Sequence, residues 1–298
     1  MAIKELKLNL ENSKSHITIT GRREVLSKTL EGSWATLFKG RGMEFTGYRQ
    51  YSYTDDASTI DWRATLRSKE TLVRVFEEYK NYNIYFYLDT SNSMLFTSGE
   101  FFKAEFGAGI MYSLSEEANA SGDAVGMGMF NDSLKETIQP AYGRGMRPRF
   151  VKLLNNKENY GGIRDFKKSI LQLSASLGER SIIIILSDFL GLPDDWSKYI
   201  SMLSEEHHVM GIMIRDKRDR FLPTSGQFFL KDPNSDSTIY VDAKQFAQEY
   251  ADLSKESEQK VISVFKKVRS DCLILENETP DPKSEIRKFF NKLSHLEH

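Results

Sequence analysis

The sequence predicts an α/β protein: a doubly wound, mostly parallel sheet preceded by a small N-terminal α+β subdomain. Three observations carry this. Beyond residue 80, short apolar runs recur at 84–88 (IYFYL), 125–130 (VGMGMF), 181–186 (SIIIIL), 209–214 (VMGIMI) and 272–275 (CLIL). Runs without alternation suit strands covered on both faces, as in parallel sheets. Between them apolar residues return at helical spacing, so strand and helix alternate along the chain. The first 80 residues lack that rhythm and alternate like half-exposed antiparallel strands.

In chain order, MEFTGYRQYSY (43–53) and TLVRVFEEY (71–79) read as partner strands. Between them TDDASTIDWRATLR suggests a turn and a short helix capped by Asp55 or Asp56. Asp55, Asp56 and Asp61 are expected to pair with Arg49, Arg63 or Arg67, and Trp62 to anchor a core. TSGE (97–100) has the form of a capping box, after which Phe102, Phe106, Ile110 and Leu114 mark a helix. Phe166, Ile170, Leu173 and Leu177 mark a second, ended by Gly178. DDWSKYISMLSEE gives a third, and residues 243–269 hold one long helix or two. Turn residues over 222–243 suggest an inserted hairpin. The expected division is a subdomain over 1–80, the main domain over 81–295 and a tag remnant over 296–298.

With 298 residues, 40% of them hydrophobic, the chain can bury a large core and a smaller one. A formal net charge of −1 argues against a nucleic-acid binder. No apolar run approaches the roughly 20 residues of a membrane helix, and the charged start MAIKELKLNLENSK is unlike a signal peptide. The expected location is cytoplasmic. A single cysteine, Cys272, rules out an internal disulfide and any multi-thiolate zinc site, and its apolar setting reads as core. His207 and His208 lack companion ligands and read as local structure. The glycines of VGMGMF sit inside a strand, not in a strand-to-helix turn, so they are no dinucleotide fingerprint; they read as room for close helix packing. There is no Gly-Lys-Ser/Thr phosphate loop.

The chemistry concentrates in YLDTSNSM (87–94). Ligands of open α/β sheets bind beyond the carboxyl ends of the strands, which is where Asp89 falls. In an extended segment Asp89, Ser91 and Ser93 share one side. A carboxylate with two hydroxyls is a hard oxygen set suited to Mg²⁺ or Mn²⁺. Asp188 also stands immediately after a buried strand, and a shared cation would satisfy both acids.

DTSNS resembles the Asp-x-Ser-x-Ser element of the metal-ion-dependent adhesion site of von Willebrand factor A-type domains, and Asp188 in LSDF resembles that site's later aspartate. The wider chain resembles the family known as domain of unknown function 58. The matching stretches are FKGRGMEFTGYRQYSYTDDASTIDWRATLRS, VFEEYKN, LDTSNSM, LSDFL, IRDKRDRFLP and DP…VDA, spanning roughly residues 38–245. The resemblance implies a von Willebrand factor A-like domain that acts as a protein-binding adaptor beside a MoxR-type AAA+ ATPase, in chaperone-like assembly. It implies Asp89, Ser91, Ser93 and Asp188 as ligands of Mg²⁺ or Mn²⁺, with an open position for a partner's carboxylate.

One departure stands out. Where the adhesion site draws on a threonine, NYGGIRDF offers Ile163, which cannot ligate. Asp165 or a water can fill the gap, or Arg164 can neutralise the acids with no metal. Two other readings therefore stand beside the adaptor: a metal-free scaffold using the same loops, and a Mg-dependent phosphohydrolase, which lacks an evident base or second acid.

Overall fold

All five apolar runs become strands of one sheet in the computed structural model, which describes residues 44–68, 70–77, 82–223, 225–231 and 238–296. The strands are β3 (Asn83–Asp89), β4 (Ala124–Phe130), β6 (Ile182–Ser187), β7 (His208–Arg215) and β10 (Cys272–Glu276). A sixth, β5 (Leu134–Ala141), completes the order β10-β7-β6-β3-β4-β5. Every pairing is parallel except β4 with β5. β5 was not expected from the sequence because it is a half-exposed edge strand with the polar pattern LKETIQPA. The doubly wound, mostly parallel sheet expected for a von Willebrand factor A-like domain is the observed one.

The chain runs outward from β3 through β4 to β5, then returns to lay β6 on the other side of β3. The exits of β3 and β6 are therefore neighbours at the point where the winding reverses. In open α/β sheets that point is where a crevice forms.

Alternation along the central strands sorts side chains onto two helical layers. Ile84, Phe86, Leu88, Ile184 and Ile212 face α2 (Lys103–Ala120), α3 (Met146–Asn155) and α8 (Pro282–Leu296). Tyr85, Tyr87, Ile183, Ile185 and Met213 face α4 (Phe166–Ser176), α5 (Trp196–Glu206) and the single long helix α7 (Ala243–Lys267). The second layer is aromatic. Tyr87 stacks on Phe130 at 4.3 Å, Phe130 meets Phe166 edge-on, and Phe166 meets Trp196 edge-on. Gly126 and Gly128 make room on this face for the ring of Tyr85, so their purpose is strand-side packing and not the close helix approach expected from sequence. Gly211 has a similar role, since a Cβ there would lie 2.8 Å from Cys272 Sγ and from the Phe265 ring.

Before the main sheet, β1 (Glu44–Gln50) pairs antiparallel with β2 (Leu72–Glu77), with α1 (Trp62–Ser68) between them. Arg49 holds Asp55 through two hydrogen bonds of 2.6 and 2.7 Å, which draw that carboxyl down to about 2. Asp56 caps a short 3-10 turn, and Asp61 caps α1 while pairing with Arg74 instead of Arg63 or Arg67. Trp62 is 64% exposed, contrary to the core anchor expected, because α1 buries none of its residues. A second antiparallel pair, β8 (Gln227–Lys231) with β9 (Thr238–Asp242), precedes α7. Residues 1–43, 232–237 and 297–298 lie outside the described residues, as do the readings that fall on them.

These positions predict a contrast in chemical denaturation. Phe166→Ala should cost about 3–5 kcal/mol, the usual range for an aromatic core truncation. Trp62→Ala should stay within about 0.5 kcal/mol, as exposed substitutions do.

Candidate functional site

Three loops meet at the exits of β3, β4 and β6. Asp89 ends β3, and Thr90, Ser91 and Ser93 follow it, all four buried. Ser91 N–H donates to Asp89 Oδ1 at 3.0 Å, and the Ser91 and Ser93 hydroxyls lie 3.3 Å apart. At the end of β6, Ser187 Oγ donates to Asp89 Oδ2 at 2.6 Å, and Asp188 follows, fully buried. The chain then turns through Phe189 at φ 50°, a left-handed conformation uncommon for an aromatic residue. The turn lets Leu190 N–H donate to Asp188 Oδ1 at 3.0 Å and packs the Phe189 ring against Trp196 and Phe265.

The third loop, residues 160–165, is laced to the other two. Gly161 N–H donates to Thr90 O, Asn92 N–H to Gly162 O, Gly162 N–H to Asn92 Oδ1 and Asp165 N–H to Asn131 O, all within 2.9 Å. Gly161 and Gly162 have φ of 95° and 92°, values that a side chain would resist. This course leaves Ile163 58% exposed and turns Arg164 inward, with 2% of its side chain exposed. Asp165 caps α4, accepting from Lys168 N–H at 2.9 Å.

Arg164 Nη1 lies 2.5 Å from Asp89 Oδ2 and 2.9 Å from Asp188 Oδ1, and Nη2 donates to Leu190 O. Lys103, the first residue of α2, reaches Asp188 Oδ2 at 2.9 Å and Asp219 Oδ2 at 2.8 Å with 1% of its side chain exposed. Asp219 belongs to the single turn α6 (Lys217–Arg220), which Asp216 caps. Asp216 also accepts from Ser98 N–H, Ser98 Oγ and Asn277 Nδ2. The cap of α2 is consequently not the TSGE box. Ser98 is taken up by Asp216, and Glu105 instead accepts from Phe102 N–H at 2.9 Å.

Burial opposes charge on each of these groups, and partners outweigh it. Burial alone would raise Asp188, but Lys103 and Arg164 hold it far below the ordinary carboxylate range. Burial would lower Arg164 and Lys103, but the facing carboxylates hold both above their usual values. Asp188, Arg164 and Lys103 are therefore held in their charged forms.

The structure thus brings Asp89, Ser91, Ser93 and Asp188 to one spot, and sets Asp165 to capping. It adds residues that the sequence reading did not single out: Lys103, Ser187, Asp216 and Asp219. Asp216 carries a signal that was available, since it directly follows a third buried strand. Lys103 carries none, because a lysine opening a helix is ordinarily solvated.

Do these residues fit a divalent ion? Mg²⁺ needs about six oxygens at about 2.0–2.1 Å. Here the Asp89 and Asp188 oxygens facing the crevice already bind a guanidinium nitrogen, and a second cation on them would meet that charge at close range. Among the described residues no group of three or more His, Cys, Asp or Glu side chains is placed to hold a metal. With Arg164 in this position, the residues do not fit the ion.

A family model described as Protein of unknown function DUF58 matches residues 47–260. Two curated proteins, Uncharacterized protein Mb1516 of Mycobacterium bovis and Uncharacterized protein Rv1480 of Mycobacterium tuberculosis, are each 25% identical over 215 residues, covering 72% of this chain and 68% of theirs. Among solved structures, the conserved hypothetical protein BatB from Bacteroides thetaiotaomicron has a TM-score of 0.44 at 15% identity, covering 71% of this chain and 98% of that one. A von Willebrand factor type A protein from Catenulispora acidiphila has a TM-score of 0.39 at 11% identity, covering 75% of this chain and 43% of that one.

Lys103→Met should lower stability by about 3–5 kcal/mol at neutral pH, the range for stranding a buried charge. The pH dependence gives a second readout. In the wild type the depressed Asp188 contributes fully above about pH 4 and loses its contribution as pH falls through the folded value. The raised Lys103 contributes fully below about pH 10 and loses its contribution as pH rises through the folded value. Asp188 and Lys103 therefore leave thermal melts flat across about pH 7–9, while His207 and His208, lowered by burial, cost stability as pH falls below about 6.5. In Lys103→Met, Asp188 loses its ammonium partner and burial raises it, so the deficit should shrink on going from pH 8 to pH 5.

Proposed function

The chain belongs to the DUF58 family, and from that premise we propose that it is a protein-docking adaptor whose binding face works without a metal. The observation that carries this reading is the division of that face into a neutralised interior and an apolar exterior. Asp89 and Asp188 are occupied by Arg164 and Lys103, both buried beneath the loops. Outside them, Ile163, 58% exposed, adjoins Arg164, and Phe96, 43% exposed, lies with its ring 5.8 Å from Lys103 Nζ. A metal-based adhesion site would seek a carboxylate from its partner. This face instead favours an apolar side chain seated between the loops, with the charges beneath holding the loops in shape.

The same division weighs against hydrolysis. Asp188, held by a guanidinium and an ammonium, and Asp89, held by a guanidinium and the Ser187 hydroxyl, are poor nucleophiles and poor bases. As partner we propose a MoxR-type AAA+ ATPase or its client, in keeping with the family resemblance, with the adaptor at work in the cytoplasm. No helix among the described residues is long and apolar enough to cross a membrane.

The test is capture of a purified MoxR-type ATPase from the same organism, measured by calorimetry with Mg²⁺ and again after EDTA treatment of the adaptor. Equal affinity is expected in both, and Ile163→Asp or Phe96→Asp should weaken binding by about tenfold or more, as loss of an anchor residue does. Binding abolished by EDTA and restored by Mg²⁺ would overturn the metal-free reading.

A further inference from the structure

We infer that Arg164 is a tethered cation standing where a divalent ion would otherwise be held, and that the oxygens it meets will take up Mn²⁺ or Mg²⁺ once the guanidinium is removed. The inference deepens the metal-free reading above and rests on it, but its test needs no partner.

The first argument is charge. Asp89 and Asp188 leave adjacent strands at the reversal of winding, and both are fully buried. Two such carboxylates cannot both stay ionised without a cation between them. Arg164 Nη1 supplies one, at 2.5 and 2.9 Å from the two acids.

Next comes the delivery of that cation. Laced to Asn92 and Asn131, the loop passes through two left-handed glycines, so Ile163 points outward and the next residue enters the crevice. A guanidinium brought in by its own backbone loses little freedom on binding, whereas a free ion must be captured from solution and stripped of water.

The third argument is the oxygen set. Besides Asp89 and Asp188, the hydroxyls of Ser91 and Ser93 stand buried 3.3 Å apart, and Ser187 Oγ already contacts both Asp89 Oδ2 and Arg164 Nη1. Hard, mostly neutral oxygens around two carboxylates match Mn²⁺ and Mg²⁺ and not a softer metal. Lys103 and Asp219 neutralise one another beside them, so removing Arg164 leaves a net negative crevice.

Arg164→Ala opens that crevice to solvent cations. Bound Mn²⁺, counted by electron paramagnetic resonance of the free ion, should reach one per chain in Arg164→Ala. Its affinity should be at least about tenfold tighter than any wild-type binding. Methylguanidinium should compete with it, since both fill the same place. Adding Asp188→Asn or Ser91→Ala to Arg164→Ala should abolish uptake. If Arg164→Ala folds poorly, refolding with Mn²⁺ or methylguanidinium should recover its circular dichroism and refolding in EDTA should not. Equal Mn²⁺ affinity in wild type and variant would overturn the inference. So would a variant that gains neither ion binding nor rescue from either cation. EDTA-sensitive partner capture by the wild type would instead defeat the functional reading, a separate result.

Discussion

The geometry of the loops around the crevice depends on one bridge, Arg164 between Asp89 and Asp188. The winding of the sheet makes β3 and β6 neighbours, so acids at their ends are forced together before any other feature of the loops is decided. Unopposed, they would repel in a region that water does not reach. The guanidinium turns that conflict into a clamp, because its nitrogens also bind Ser187 Oγ and the Leu190 carbonyl. Its planar fork can hold several acceptors in fixed directions, which a lysine at the same place could not do. The course of residues 160–164 and the left-handed turn at Phe189 both serve that arrangement.

Lys103 extends the clamp to the far side of the sheet. As the first residue of α2 it brings positive charge to the positive end of a helix, an unfavourable place for it. Asp188 and Asp219 offset this at 2.9 and 2.8 Å. Through Asp219 the network reaches α6, and Ser254 and Tyr250 on α7 accept the hand-off by donating to the carbonyls of Asp219 and Arg218. Asp216 ties the loop before α2 to Asn277 after β10. The exits of β3, β6, β7 and β10 are thus joined by polar contacts.

The sheet was legible because its central strands are covered on both faces, and continuous apolar runs such as SIIIIL have few other solutions. β5 was not, since an edge strand open to solvent needs no apolar pattern. Trp62 was misread for the complementary reason: a large aromatic residue suggests a core, but α1 has none to join. TSGE has the composition of a cap, yet Ser98 was claimed by an aspartate 118 positions away, a competition that no local pattern reveals. At the site, Asp89 and Asp188 were found because each follows a buried strand, and Ile163 drew attention to Arg164 beside it. Lys103 and Asp219 stayed hidden because their meaning lies in contacts between distant segments.

The chain's one thiol, on Cys272, lies on the edge strand β10, beneath the Phe265 ring of α7 and against Gly211 of β7. Burial pushes it up to about 12, so in the closed protein it is a thiol and not a thiolate. Reagents that need the thiolate reach it only when α7 lifts or β10 peels from β7. Cys272 is therefore a natural clock for local opening at the end of the sheet farthest from β5, readable without adding a label site or removing a competing one.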